Sequence, residues 1–86
     1  MAFFVYILKC SDKTLYVGST NNLEKRLYQH NNLKSGANYT KGRRPVKLVY
    51  SKECETFREA RQMEYKFKCL KREQKLNLIK KAKLSL

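Results

Sequence analysis

The sequence contains no apolar run long enough to cross a bilayer, no internal repeat and no low-complexity tract. Its first ten residues, MAFFVYILKC, lack a basic start and a small-residue cleavage site, so they predict a β-strand and not a signal peptide. These absences argue against a membrane protein or a repeat protein. The length of 86 residues suits one domain, so residues 1–86 are predicted to form a single domain with no membrane partner.

Cysteine and histidine are scarce as well. The three cysteines lie far apart without a C-x-x-C pair, and the single histidine does not complete a zinc set. An odd number of isolated thiols predicts reduced, partly buried cysteines and a cytoplasmic location. A disulfide framework and a structural zinc site are therefore not expected.

Acidic residues are far outnumbered. Seven aspartates and glutamates stand against twenty lysines and arginines, which gives a formal net charge of +13. A chain with this charge accumulates counterions. When it binds a polyanion, the polyanion also releases its counterions, and this release favours nucleic acid as the partner. The alternative is a solubilising basic surface that binds RNA incidentally. A membrane surface is disfavoured, because no helix separates its lysines from a tryptophan and leucine face.

Glycine and proline are few, and their positions divide the chain. β-Branched and aromatic residues predict a strand from Phe3 to Lys9, and the polar turn CSDK joins it to a second strand, Thr14 to Gly18, in an antiparallel hairpin. Residues 31–45 hold two of the three glycines and the only proline, which predicts a long loop. A third strand is predicted at VKLVY.

Two capping patterns predict helices. Asn21 with Glu24 would begin the first helix, and Thr56 with Glu59 would begin the second. No glycine or proline interrupts residues 57–83, so that stretch predicts either one long helix or two with a bend near Lys71. The order ββαβα, with a further helix left open, predicts an α+β fold in which a small three-stranded antiparallel sheet is flanked by helices.

Two tyrosines of the hairpin are candidate site residues. Side chains alternate along a strand, so Tyr6 and Tyr16 are predicted to lie opposite or nearly opposite each other on one face. The other face would carry the core residues of both strands, namely Phe3, Val5, Ile7, Leu15 and Val17. Ordinary cross-strand packing accounts for such a pair. Two adjacent phenols would also hold a water or a phosphate oxygen, since each hydroxyl both donates and accepts.

The junction between the second strand and the first helix supplies further candidates. Gly18 is predicted to let the backbone turn sharply, so that Ser19, Thr20 and the first N–H groups of the helix form an anion seat. Arg26 and His30, four residues apart, share one helix face. The arginine either extends to water or binds a phosphate bidentately. The histidine is either a helix-end cation or a proton acceptor.

Glu64 falls on the apolar arc of the second helix, beside Ala60 and Phe57. A carboxylate on the core side costs several kcal/mol unless it is paired or bound to a metal. The sequence leaves two alternatives open. One is a salt bridge to an arginine such as Arg26, and the other is a ligand for one Mg²⁺ or Mn²⁺ ion whose remaining ligands are waters.

Basic residues elsewhere are candidates for holding a nucleic-acid backbone. Lys41, Arg43 and Arg44 lie in the predicted loop, and residues 58–83 contain ten lysines and arginines against three glutamates. A charge run of this kind usually forms a solvated face. Along a nucleic acid it would contact phosphates without distinguishing sequence.

Together these residues resemble the GIY-YIG nuclease superfamily. FVYIL, followed by YVG with its tyrosine ten residues after the first, is similar to the paired tripeptides of that family. Arg26, His30 and Glu64 fall where the family keeps its catalytic arginine, its histidine and its metal-binding glutamate. The resemblance runs from Phe4 to about Ile79, and GRRPVKLVY and REARQMEYKFKCLKREQK are similar to the short stand-alone bacterial members.

The chain departs from the family pattern at some positions. The first tripeptide, Phe4-Val5-Tyr6, lacks a glycine, and Ser19 stands where some relatives have a lysine near the general base. Larger relatives carry a second domain that supplies specificity, and no such domain is predicted in these 86 residues.

The resemblance implies metal-assisted hydrolysis of phosphodiester bonds. The first hypothesis is therefore a small DNA endonuclease that acts on branched, damaged or otherwise unusual structure. In that scheme Tyr16 takes a proton from the attacking water, Tyr6 positions it, Arg26 neutralises charge on the phosphate, His30 relays a proton or contacts the phosphate, and Glu64 holds one Mg²⁺ or Mn²⁺. Two other functions stay open: a non-catalytic basic protein associated with RNA or the ribosome, and a nuclease subunit that needs a protein partner for specificity.

Overall fold

The computed structural model describes residues 2–32 and 42–84. Its elements are β1 (Phe3–Lys9), β2 (Leu15–Thr20), α1 (Leu23–Asn32), β3 (Lys47–Cys54), α2 (Phe57–Lys68) and α3 (Arg72–Leu84). The three strands form one antiparallel sheet in the order β2-β1-β3. The predicted α+β fold is confirmed, and the order ββαβαα shows that the open alternative of a further helix is the correct one. None of the helices described is long and apolar enough to cross a bilayer.

Strand β2 continues beyond its predicted end. It reaches Thr20, so Gly18 lies inside the strand and not at a turn, and its φ is not positive. In the register of the hairpin, Tyr6 faces Gly18 and Leu8 faces Tyr16. The two tyrosines are therefore diagonal neighbours on one face, as the alternation predicted, and the sharp turn predicted at Gly18 is wrong.

Helices cover both faces of the sheet. The first face packs against α2 and α3 in a core of Val5, Ile7, Val17, Cys54, Ala60, Phe67 and Ile79. The second face buries Tyr6 and Leu8 with Cys10 and Val46, and α1 covers it with Leu23 and Leu27. The predicted core face is confirmed, and the tyrosine face proves to be covered as well. All three cysteines are free, and two of them are buried.

Capping bonds explain where the helices begin. Helix α1 is capped by Asn22, whose Oδ1 accepts from Lys25 N at 3.1 Å, so the cap lies one residue after the predicted Asn21. Helix α2 begins as predicted, because Thr56 Oγ1 accepts from Glu59 N at 3.1 Å. The cap keeps the start of α2 in place relative to β3, from which only two residues separate it.

The break between α2 and α3 confirms the bend near Lys71. Cys69 N and Leu70 N donate to carbonyls of the preceding turn, and Lys71 N donates to Gln74 Oε1 at 2.9 Å, which starts the next helix. The predicted loop is shorter at its beginning, since residues 31 and 32 still belong to α1. Lys41, predicted to contact nucleic acid, lies outside the described residues.

Candidate active site

Three aromatic rings meet on the face of the sheet that α1 covers. Tyr6 Oη and His30 Nε2 share a buried hydrogen bond of 3.0 Å. The ring of Tyr16 lies 5.1 Å from that of His30 and 6.5 Å from that of Tyr6, centroid to centroid. Gly18 permits this arrangement, because a Cβ there would lie 2.6 Å from Tyr6 Cζ and closer still to its hydroxyl oxygen. The imidazole of His30 therefore joins the predicted pair of tyrosines in one aromatic cluster.

The protonation states of this cluster follow from burial. His30 is completely buried, and burial, together with the positive charges of Arg26 and Arg44, lowers the pKa of His30 to about 4. The imidazole is therefore neutral near pH 7 and is not the helix-end cation that its position allowed. Burial likewise raises the pKa of Tyr6 to about 12, although a hydrogen bond from Arg26 opposes the shift. Tyr6 keeps its proton at neutral pH.

Arg26 lies beside the aromatic cluster with its head half-buried. Its Nη1 donates to Gln29 Oε1 at 3.0 Å, one turn further along α1. Its charge partly offsets the rise that burial causes in the pKa of Tyr6, and it adds to the fall that burial causes in the pKa of His30. The guanidinium is therefore close to both rings. Because Arg26 is already held in place, its planar guanidinium group can bind an incoming oxyanion with little further loss of side-chain conformational entropy.

Glu64 approaches from α2, on the opposite face of the sheet. Its Oε1 accepts from Ser19 Oγ at 2.6 Å, and its Oε2 accepts from Lys68 Nζ at 2.8 Å. The side chain is 14% exposed. Burial alone would raise the pKa of this carboxyl, but the bonds from Lys68 and Ser19 outweigh burial and hold the pKa below its usual range. The carboxylate is ionised and paired, and of the alternatives left open by the sequence it is the ion pair that is seen, with Lys68 in place of Arg26.

Strand β2 brings the two faces together. It is an edge strand, and Gly18, under the ring of Tyr6, directly precedes Ser19, which holds Glu64. Successive residues of a strand point to opposite faces, so the phenol and the carboxylate flank the same stretch of backbone. Burial is the main cause of the raised pKa of Tyr6, and the negative charge of Glu64 adds a smaller contribution in the same direction. The aromatic cluster at Gly18 and the carboxylate held by Ser19 therefore lie on opposite faces of the same edge strand.

The donor set suits a hard cation that keeps most of its water. Among the described residues, no three His, Cys, Asp or Glu side chains form a cluster that would enclose a metal. A lone carboxylate is a usual protein ligand for Mg²⁺. Glu64 already holds one positive charge, the ammonium group of Lys68, against its outer oxygen. The residues present thus fit a singly anchored, hydrated ion and do not fit an all-protein cage.

The other predicted phosphate-contacting residues make bonds within the protein. Ser19 donates to Glu64, and Thr20 Oγ1 accepts from Asn22 N at 3.1 Å at the start of α1. Arg43 Nε pairs with Asp12 at 3.0 Å, and Arg44 Nε donates to the carbonyl oxygen of residue 30 at 2.5 Å. Contact of these residues with nucleic acid stays a prediction.

Two residues of the site were not predicted from the sequence. Gln29 fixes Arg26, and Lys68 pairs with Glu64. The spacing of Glu64 and Lys68, four residues apart on one helix, was a signal that would have found the second pair.

Comparison with known proteins gives a consistent result. The family model of the GIY-YIG catalytic domain matches residues 2–77. The UPF0213 protein CPE1444 of Clostridium perfringens is 60% identical over 76 residues, which cover 88% of this chain and 81% of that protein. The UPF0213 protein RBAM_000440 of Bacillus velezensis is 50% identical over 82 residues, which cover 95% of this chain and 82% of that protein.

Two solved structures are similar over most of their length. The solution NMR structure of the UPF0213 protein BH0048 from Bacillus halodurans superposes with a TM-score of 0.59 at 38% identity, over 93% of this chain and 84% of that one. The solution NMR structure of EF2693 from E. faecalis gives a TM-score of 0.66 at 38% identity, over 98% of this chain and 88% of that one. Sequence and fold therefore agree on the same group of relatives.

Proposed function

Because this chain belongs to the GIY-YIG family, we propose that it is a divalent-metal-dependent endonuclease that hydrolyses phosphodiester bonds in DNA of unusual structure. The observation that supports this most directly is the edge of the sheet at β2. There the Tyr6–His30 pair packs against Gly18 on one face, and the ionised Glu64 bonds to the next residue, Ser19, on the other. Phosphodiester hydrolysis needs a cationic group at the phosphate, proton acceptors at the water and an anionic ligand for a metal ion.

The two tyrosines have different roles because they differ in exposure. Tyr6 holds its proton at neutral pH and is only 2% exposed, so it is suited to orienting an oxygen by hydrogen bonding. Tyr16, on the same face, is only partly buried and is the phenol that a substrate water can approach. Tyr16 acts as the general base once its own phenolic proton has passed to solvent, so that its phenolate oxygen takes the proton of the attacking water, and the neutral His30 assists as a proton relay.

The charged groups act on the phosphate from two sides. Arg26 binds a non-bridging oxygen and stabilises the charge that develops there. Glu64 would hold Mg²⁺ or Mn²⁺, which would supply charge stabilisation at the leaving oxygen. Ser19 keeps the carboxylate oriented by its hydrogen bond to Oε1. The net charge of +13 attracts the nucleic-acid backbone, and Thr20, Lys41, Arg43 and Arg44 are the proposed phosphate contacts.

A cleavage screen tests this proposal. Purified protein is incubated with nicked, flapped, branched and single-stranded DNA in Mg²⁺ or Mn²⁺, beside the variants Arg26→Ala and Glu64→Gln. We expect both variants to cut at least about a hundredfold more slowly, because each removes charge stabilisation from the transition state. The matched controls Lys25→Ala and Glu73→Gln, each losing a comparable exposed charge, should cut within about twofold of the unsubstituted chain.

Two outcomes contradict the proposal. One is the absence of cleavage of every substrate with either ion, and the other is undiminished cleavage by Glu64→Gln. The second candidate function, a basic protein that binds RNA without cutting, is favoured by the fact that both carboxylate oxygens of Glu64 are already bonded within the protein. It predicts salt-sensitive RNA binding that Glu64→Gln preserves. A nuclease that needs a protein partner would instead start to cut when that partner is added.

A further inference from the structure

The ammonium group of Lys68 occupies the outer oxygen of the carboxylate to which the proposed function assigns a metal ion. Lys68 Nζ donates to Glu64 Oε2 at 2.8 Å, and Ser19 donates to the other oxygen at 2.6 Å. Both oxygens are thus engaged. Glu64 is 14% exposed, whereas the side chain of Lys68 is 53% exposed. The inner bond is held by a short side chain on the sheet, and the outer bond is held by a long chain at the surface.

This difference decides which bond yields to an incoming cation. A divalent ion binds a carboxylate oxygen at about 2.1 Å, and an ammonium group bonded to the same oxygen would face it with a like charge only a few ångströms away. Ser19 is neutral and can stay in place. Lys68 can turn into solvent by rotating its flexible side chain, and it loses only a partly exposed ion pair.

We infer that Lys68 is a built-in competitor of the divalent ion: it neutralises Glu64 in the free protein and is displaced when the metal binds. This inference rests on the proposed function, since it takes Glu64 as the metal ligand. Lys68 is therefore a positioning residue that sets the metal concentration at which the site fills. The displaced ammonium group lies beside the loaded site, where the phosphates of a substrate would attract it.

The helix supplies a matched control. Lys66 and Lys68 both lie in the last turn of α2, so replacing either one removes the same charge from the same helix end. Within the described part of the chain it is Lys68 and not Lys66 that bonds to Glu64, and the side chain of Lys66 is exposed. A difference between Lys68→Met and Lys66→Met therefore isolates the contact with Glu64 from the general loss of positive charge.

The experiment measures Mn²⁺ binding to the full chain by the relaxation of water protons, without nucleic acid. We expect Lys68→Met to bind Mn²⁺ at least about fivefold more tightly than the unsubstituted chain. This change in affinity corresponds to the strength of the partly exposed, charge-assisted hydrogen bond that the ion no longer has to break. Lys66→Met should stay within about twofold, and Lys68→Arg should stay near the unsubstituted value because it keeps the competing charge. A second readout is the ¹⁵N signal of the lysine ammonium groups, in which Mg²⁺ should shift Lys68 and leave Lys66 unchanged.

The variant Glu64→Gln distinguishes failure of the proposed metal site from failure of the competition by Lys68. If it leaves Mn²⁺ binding unchanged, Glu64 is not the metal ligand, and the proposed metal site and the inference both fail. If it abolishes binding while Lys68→Met and Lys66→Met bind Mn²⁺ equally, the metal site stands and the competition by Lys68 is wrong. Weaker Mn²⁺ binding by Lys68→Met would also overturn the inference, since it would make Lys68 a support for the site.

Discussion

Gly18 shows how one missing side chain shapes the candidate site. The ring of Tyr6 crosses directly over this residue, in the space that a Cβ would fill. The role of the glycine is thus to allow close approach, and its extended backbone is one that other residues adopt as well. Ser19, the next residue, then contacts Glu64 on the other face.

Gly18→Ala should destabilise the protein and displace Tyr6 from His30. The added methyl group would overlap the phenol in a buried site, which typically costs about 1–3 kcal/mol in the free energy of unfolding. Urea denaturation gives the loss, and the NMR signals of His30 report the broken hydrogen bond. Gly42→Ala is the control, because a Cβ there meets no atom within 4 Å. Equal stability of the two variants would show that Tyr6 does not pack over Gly18 in solution.

The neutral His30 makes stability depend on pH. The unfolded chain protonates this imidazole near pH 6.5, whereas burial delays protonation in the folded chain to about pH 4. The unfolded state therefore binds more protons between these values, and the free energy of unfolding falls as the pH drops from 6.5 to 4, by up to about 3 kcal/mol.

Urea denaturation at several pH values checks this, with His30→Gln for comparison. The glutamine variant should be less stable near pH 7, because it disturbs a buried hydrogen bond, but its stability should change less between pH 6.5 and 4.5. An NMR titration that places the pKa of His30 at or above 6.5 would refute the prediction.

At the scale of elements, Asn31 joins the end of α1 to the backbone just before β3. Asn31 Nδ2 donates to the carbonyl oxygen of Val46 at 3.1 Å, and its Oδ1 accepts from Val46 N at 2.7 Å. The amide thus pairs with the backbone just before β3 as a neighbouring strand would. Since His30 directly precedes Asn31, this pairing also holds the imidazole over the sheet.

Asn31→Ala should therefore cost about 1–3 kcal/mol in the free energy of unfolding, because it leaves two backbone groups without partners. It should also loosen α1, which hydrogen exchange of the amides of that helix would detect. Asn32→Ala is the matched control: among the described residues its side chain bonds within α1, to the carbonyl of Tyr28 at 3.1 Å, and it is exposed. A cost no larger than that of the control would mean that Asn31 does not join the two elements.

At the scale of the whole molecule, the charge of +13 governs binding to a polyanion. Binding should weaken steeply with salt, because each phosphate neutralised releases condensed counterions. For about six phosphate contacts, affinity for duplex DNA should fall by about a thousandfold between 50 and 200 mM salt. Fluorescence anisotropy with a labelled duplex measures this slope. Affinity that is unaffected by salt would show that the basic surface does not hold the backbone.

The elements were largely predictable because their signals are local. Alternation in β1 and β2, the capping box at Thr56 and the bend near Lys71 each depend on residues close in sequence, and each is confirmed. The errors at Gly18 and Asn21 concern the end of a strand and the start of a helix, where pairing with a distant strand or a single capping bond decides the boundary.

Composition and periodicity alone were enough to establish a basic α+β domain with a buried hairpin face, because charge and hydrophobic spacing belong to the residues themselves. The partners of the candidate site residues were not accessible in that way. Whether Glu64 met Arg26 or Ser19, and whether His30 was charged, depended on which face of the sheet each helix covers and on how deeply each group is buried. Those are distances between segments far apart in the chain, which exist only once the chain has folded.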